Sequence, residues 1–153
     1  MPLQALAHLV ATCCYLGYMP WAPGSATSLV TAAILFVAPP CSINLTVILS
    51  LFFGVVGVWA AHRVQKRGLD PDPAHVVIDE VLGMIVALAA VPQVWWMYLL
   101  VFALFRFFDI YKPFPILWVE KSLPGGWGIM MDDVVAGVMA RVTVALILLL
   151  VHT

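Results

Sequence analysis

This sequence has little charge. Seven Lys and Arg and eight Asp and Glu are all that 153 residues carry, and they nearly cancel to −1. A soluble domain is about a quarter charged and about half apolar. Here the figures are 10% and 64%, and that much apolar surface is hidden only by facing lipid. The lack of a basic excess excludes nucleic acid as a partner, because phosphate backbones are held by clustered Lys and Arg. Cysteine is sparse as well. Cys13, Cys14 and Cys41 show no C-x-x-C spacing and no following arginine loop of the kind a cysteine phosphatase needs, so they read as small buried hydrophobes. No G-x-S-x-G elbow and no P-loop occur. His8, His62, His75 and His152 show no zinc-ligand spacing. The first fifteen residues lack the Lys/Arg-rich start of a cleaved signal, and 18–25 is aromatic and proline-bearing instead of a small-residue cleavage site.

What is present is apolar runs. They cover 3–17, 29–38, 43–61, 76–90, 94–108 and 134–151. The first carries Gln4, His8 and Thr12, which makes it an interfacial helix beside five spans. Several runs are shorter than the roughly 20 residues of an upright crossing, so polar ends or local thinning must complete them. The runs are continuous, not alternating, which excludes β-barrel strands. The expected fold is an all-α, polytopic integral membrane helical bundle, a single domain over 1–153, with short Pro-turned hairpins. The turns at Pro39-Pro40 and Pro92-Gln93 are uncharged. The charges gather instead in two segments. Arg63, Lys66, Arg67, Asp70 and Asp72 lead into Asp79-Glu80; Arg106, Asp109, Lys112, Glu120, Lys121, Asp132 and Asp133 form the other. Only Arg141 lies deep in an apolar run. The Lys/Arg bias puts the charged side in the cytoplasm, and Trp95 and Trp96 suit the opposite interface. Asp70-Pro-Asp72-Pro reads as a solvated linker.

Five of the eight acids sit within a residue or two of an apolar run: Asp79, Glu80, Asp109, Asp132 and Asp133. A helix N-cap or first-turn carboxylate explains one acid of each adjacent pair. Two neighbouring carboxylates repel unless a cation intervenes. Hard cations such as Mg²⁺ take oxygen ligands, and a few carboxylates with water suffice. Successive helical residues point about 100° apart, so one acid of each pair can ligate while its neighbour braces it. Arg106 and Asp109 share a helix face. With Lys112 they suggest a phosphate clamp, a planar fork beside a point charge. Pro113 and Pro115 then stop the helix. Gly125, Gly126 and Gly128 lead into the last helix, where backbone N–H groups can approach a phosphate. Ser25, in Pro20-Trp21-Ala22-Pro23-Gly24-Ser25-Ala26-Thr27, either caps a helix or touches substrate.

The run Phe105-Arg106-Phe107-Phe108-Asp109-Ile110-Tyr111-Lys112-Pro113-Phe114-Pro115-Ile116 resembles the F-R-x-F-D-x-x-K-P-x-P-I pattern of the phosphatidylglycerophosphatase A family. Gly125-Gly126-Trp127-Gly128-Ile129-Met130-Met131-Asp132-Asp133-Val134-Val135-Ala136-Gly137 is similar to its G-G-x-G-x-M-x-D-D-x-x-A-G run. Asp79-Glu80 with Gly83 matches D-E-x-x-G. Ala22-Pro23-Gly24-Ser25 matches A-P-G-T with Ser for Thr. The resemblance spans nearly the whole chain in order. It implies Mg²⁺-dependent removal of the terminal phosphate from phosphatidylglycerophosphate, giving phosphatidylglycerol, in a bacterial inner (cytoplasmic) membrane, and the charge bias puts the site on its cytoplasmic side. The phospholipid substrate and the bilayer are the expected partners. The expected metal ligands are Asp79, Glu80, Asp109, Asp132 and Asp133. The expected catalytic residues are Asp109, Asp133, Arg106 and Lys112, with Ser25, Gly125 and Gly126 also at the substrate. Direct water attack and an aspartyl-phosphate route both remain open. A CDP-alcohol phosphotransferase is the rival enzyme, through Asp133-x-x-Ala136-Gly137-x-x-Ala140-Arg141. However, Ala136 replaces that family's second acid, and no later G-x-x-x-D-x-x-x-D occurs up to Thr153. A non-catalytic ion-binding or transport subunit is the rival of another kind; its acids belong at mid-span, whereas these gather at helix ends.

Overall fold

The computed structural model describes residues 2–65 and 74–151; Lys66, Arg67, Asp70, Asp72 and His152 lie outside the described residues. Among those described, every regular element is helical. The order is α1 (Pro2–Ala11), a 3-10 turn (Leu16–Tyr18), α2 (Pro23–Val37), α3 (Ile43–Gln65), α4 (Ile78–Ala87), α5 (Trp95–Tyr111), α6 (Ile116–Ser122) and α7 (Gly126–Val151). The expected all-α class therefore stands. α3 and α7 are the two helices long and apolar enough to cross a membrane.

The element ends follow from local chemistry. α2 opens with Ala22 in the left-handed region (φ 44°) and Pro23 at its first position, where a missing N–H costs nothing. It stops before Pro39-Pro40, as proline requires. α5 ends at Lys112, also left-handed with φ 44°, followed by a proline that cannot continue the helix. The Phe114–Pro115 peptide is cis.

Three expectations are corrected here. Ser25 is not the α2 cap; it is the third residue of the helix, and Ala22 occupies the cap. The last helix starts at Gly126, so Asp132 and Asp133 lie in its second turn and do not open it. A short helix, α6, fills what the sequence suggests is loop.

α4 is the central helix. It packs most extensively on α7 and also on α3, α2 and α5. Met84, Phe105, Val101, Ile116 and Met130 are fully buried around it. The α4–α7 crossing is tight because it is made of glycines. A Cβ on Gly137 would press on the Gly83 carbonyl oxygen, and one on Gly83 would meet both the Phe105 ring and the Asp133 carbonyl. Small residues let helix backbones approach this closely. In the turn that follows α4, Arg141 Nε donates to the Ala89 carbonyl at 2.6 Å. That gives the lone arginine of the last apolar run a structural task.

Candidate active site

The site lies at the N-terminal end of α4. Asp79 and Glu80 occupy its first turn, and the Gly83–Gly137 crossing brings Asp133 of α7 against them. Oxygens of Asp79, Glu80 and Asp133 all lie within 4.8 Å of one another. Asp133 is buried. Glu80 Oε2 and Asp133 Oδ2 are both shut off from solvent without a hydrogen-bond partner among the described residues. Buried acceptors are rarely left so. Three carboxylates converging with open oxygens form a donor set that fits a hard cation such as Mg²⁺.

Arg106 borders this trio. Its Nη1 is 2.6 Å from Asp109 Oδ2 and 3.7 Å from Glu80 Oε1, and 3.5 Å from Ser28 Oγ. Asp109 is in turn close enough to Asp133 for the two carboxyls to interact. The start of α2 closes over the group. There is no room for a Cβ at Gly24, because Glu80 Oε1 touches that position and Arg106 Nη1 is 3.3 Å away. Thr27, on the next turn, is buried with an unpartnered hydroxyl.

A second cluster sits beside the first. Lys112 Nζ is 2.7 Å from Asp132 Oδ2 and 3.0 Å from Glu120 Oε2. Burial pulls the Lys112 pKa down, but hydrogen bonds and charge from Asp132 and Glu120 outweigh it and hold the ammonium above its usual range. Each adjacent acid pair is thus resolved differently. Asp79 and Glu80 both join the trio, while Asp133 joins and Asp132 turns to Lys112.

A scan against protein families matches phosphatidylglycerophosphatase A over residues 9–148. The chain belongs to the phosphatidylglycerophosphatase A family. Among its relatives are phosphatidylglycerophosphatase A of Escherichia coli, 33% identical over 87% of this chain and 78% of that one. The protein of the same name from Haemophilus influenzae is 41% identical over 61% of this chain and 60% of its own. A third, from Bacteroides thetaiotaomicron, is named as a candidate phosphatidylinositol-3-phosphatase and is 38% identical over 84% of this chain and 85% of its own. No solved structure matches.

The family's motifs now have physical reasons. The glycine of D-E-x-x-G, Gly83, is the crossing point that carries Asp79 and Glu80 to Asp133. The glycine of A-P-G-S, Gly24, lets α2 reach Glu80 and Arg106. The G-G-x-G run serves packing: Gly126 lies against the α3 backbone at Val58 and His62, and Gly128 against α6 carbonyls. Gly126 starts α7, so it is about 9 Å along the axis from Asp132. Gly126 seats α7 against α3; a place for Gly125 and Gly126 at the substrate stays an expectation. Lys112, expected as a free clamp, already holds two carboxylates. Ser25 makes no side-chain contact that identifies a role.

Several groups escaped the sequence. Glu120 sits on the short helix α6, which the turn residues around it disguise. Ser28 and Thr27 look like ordinary residues of an apolar helix. His8, Tyr18 and His75 form a ring cluster with centroids 5.4–5.8 Å apart, although the histidines are far apart in the chain. The fold-back of the left-handed residues Cys13, Cys14 and Tyr15 brings them together, and no spacing rule detects that.

Proposed function

We propose that this protein hydrolyses phosphatidylglycerophosphate to phosphatidylglycerol and inorganic phosphate, with Mg²⁺ held by Asp79, Glu80 and Asp133. The observation that carries the reading is the converging trio with two buried, open carboxylate oxygens, in a chain of this family. Mg²⁺ bound there supplies Lewis-acid polarisation of phosphoryl oxygens and a more acidic water. Arg106 faces the same cluster and offers its remaining guanidinium donors to the transferring group, where charge complementarity matters most. Asp109, outside the trio and fixed by Arg106, is the carboxylate placed to accept a proton from the attacking water. As that oxygen bonds to phosphorus, the bond from phosphorus to the glycerol oxygen breaks, and the glycerol oxygen takes up a proton in exchange for the one Asp109 then releases. Gly24 keeps the N-terminus of α2 over the site, where its positive end favours an anion.

The protein is read as multi-pass in a bacterial inner membrane, with this site on the cytoplasmic side. Exposed Leu51, Phe52 and Val55 on α3 and Leu149 and Leu150 on α7 support lipid around the bundle. In a variant lacking Cys13, Cys14 and Cys41, a cysteine at Pro92 is expected to react with an impermeant thiol reagent added outside whole cells, and one at Lys121 is not. The reverse pattern overturns the orientation.

The deciding experiment is phosphate release from phosphatidylglycerophosphate by purified protein, after chelation and again after Mg²⁺ is restored. Activity is expected only with the metal; full turnover in excess chelator rejects the metal reading. The Bacteroides relative's name points to phosphatidylinositol 3-phosphate as a second lipid phosphomonoester. Running both lipids side by side decides between them.

A further inference from the structure

We propose that the groove between α2 and α5 holds one acyl chain of the lipid substrate, with its head end at Ser25 and Arg106. This deepens the reading of the protein as a lipid phosphatase and rests on it. The groove encloses about 230 Å³ and its walls are almost wholly apolar, from Leu29, Ala32, Ala33 and Phe36 on one side and Trp95, Leu99 and Phe102 on the other.

Register ties this groove to the site. On α2, Ser25, Leu29, Ala32 and Phe36 follow one another at four-, three- and four-residue steps, which makes one stripe. On α5, Arg106, Phe102, Leu99 and Trp95 descend by the same steps. α2 runs away from the site and α5 runs back to it, so both stripes share their polar end. There Ser28 Oγ lies 3.5 Å from Arg106 Nη1. At the far end the Phe36 and Tyr98 rings meet edge to face at 5.3 Å. Ala32 and Ala33 keep its floor low. Arg106 and Trp95 stand eleven positions apart on α5, about 16 Å of helix.

These features select an acyl chain over a helix from another protein. A groove of about 230 Å³ takes an extended chain, not a helix about 10–12 Å across with its side chains. Leu29 and Phe102 line its near end, one turn from Ser25 and Arg106, so a phosphate held at the guanidinium brings its own lipid tail to it. Lipid is as apolar as these walls, so the groove adds little affinity. It acts by fixing the depth and rotation of the phosphate relative to the carboxylates.

Two measurements test the proposal with the full-length protein. The first compares kcat/KM for long-chain phosphatidylglycerophosphate with that for a dibutyryl analogue, in wild type and in Ala33→Phe, which fills the groove. The long-to-short ratio is expected to fall about tenfold or more, as misplacement of a reacting group does; an unchanged ratio overturns the proposal. The second uses phosphatidic acid with a diazirine midway along one acyl chain, photolysed with wild-type protein. Label is expected on the α2 and α5 segments 29–36 and 95–102. Label confined to the outward faces of α3 and α7 overturns the proposal, whether or not Ala33→Phe folds. If wild type releases phosphate from neither lipid, the phosphatase reading fails, and the labelling still decides the groove.

Discussion

Two ionic clusters lie side by side on this fold, and their bookkeeping of charge differs. Around Lys112, one cation meets two carboxylates, Asp132 and Glu120, and ties the end of α5 to α6 and α7. Around Arg106, one cation stands beside Asp109 and Glu80, with Asp79 and Asp133 crowded against Glu80. The first cluster is close to balanced and brings three elements together. The second has one cation for four carboxylates, with Glu80 Oε2 and Asp133 Oδ2 buried and open; at the first, Glu120 Oε2 is also buried without a hydrogen bond but lies 3.0 Å from the ammonium. A fold that needed only a clamp has one at Lys112. The excess of negative charge at the other cluster is why we place the cation and the chemistry there.

Breaking the acidic cluster is expected to have the largest effect. Asp79→Asn and Asp133→Asn each keep the side-chain shape but remove a charge, and turnover should fall about 10²–10³-fold, with helix content by circular dichroism unchanged. Near-normal turnover at saturating Mg²⁺ would reduce these acids to helix-end residues. A smaller effect is expected from Gly24→Ala. The new methyl displaces Glu80, a flexible side chain, so a fall in kcat of about tenfold is expected, below the roughly 10² of a full 1 Å misplacement; wild-type kcat would show that α2 does not seat Glu80. Lys112→Met should change turnover least and stability most. It strands a buried Asp132 beside Glu120, at a cost of about 3 kcal/mol, read as a drop of roughly 6–12 °C in thermal unfolding in detergent. A variant that unfolds like wild type but has lost activity would move Lys112 from lock to substrate contact.

The same contrast marks what was legible in the sequence. Asp79 and Glu80 read correctly as first-turn residues because an apolar run follows at once. Asp132 and Asp133 did not. The Gly125-Gly126-Trp127-Gly128 run has the composition of a loop, yet α7 begins inside it because α3 and α6 approach so closely that only glycine fits. That is tertiary packing overriding propensity, and one sequence carries no sign of it. The choice between Asp132 and Asp133 was open for a related reason. It depends on the rotation of α7, which Gly137 sets through its contact with Gly83. Residues 116–122, with a proline before them and only two turns long, are too short for a periodic signal, so α6 and Glu120 stayed hidden. The acids themselves stand out in the sequence, because charge is costly in so apolar a chain and seldom placed without use.

The glycine crossing between α4 and α7 has a thermodynamic corollary. The spacing of the three carboxylates is set by one backbone resting on another, so occupancy of the trio and association of the two helices form a single linked equilibrium. A cation that binds only the assembled trio holds the helices together by mass action, adding about 2.7 kcal/mol at a hundred times its dissociation constant. Ionic conditions and helix packing are then two handles on the same free energy.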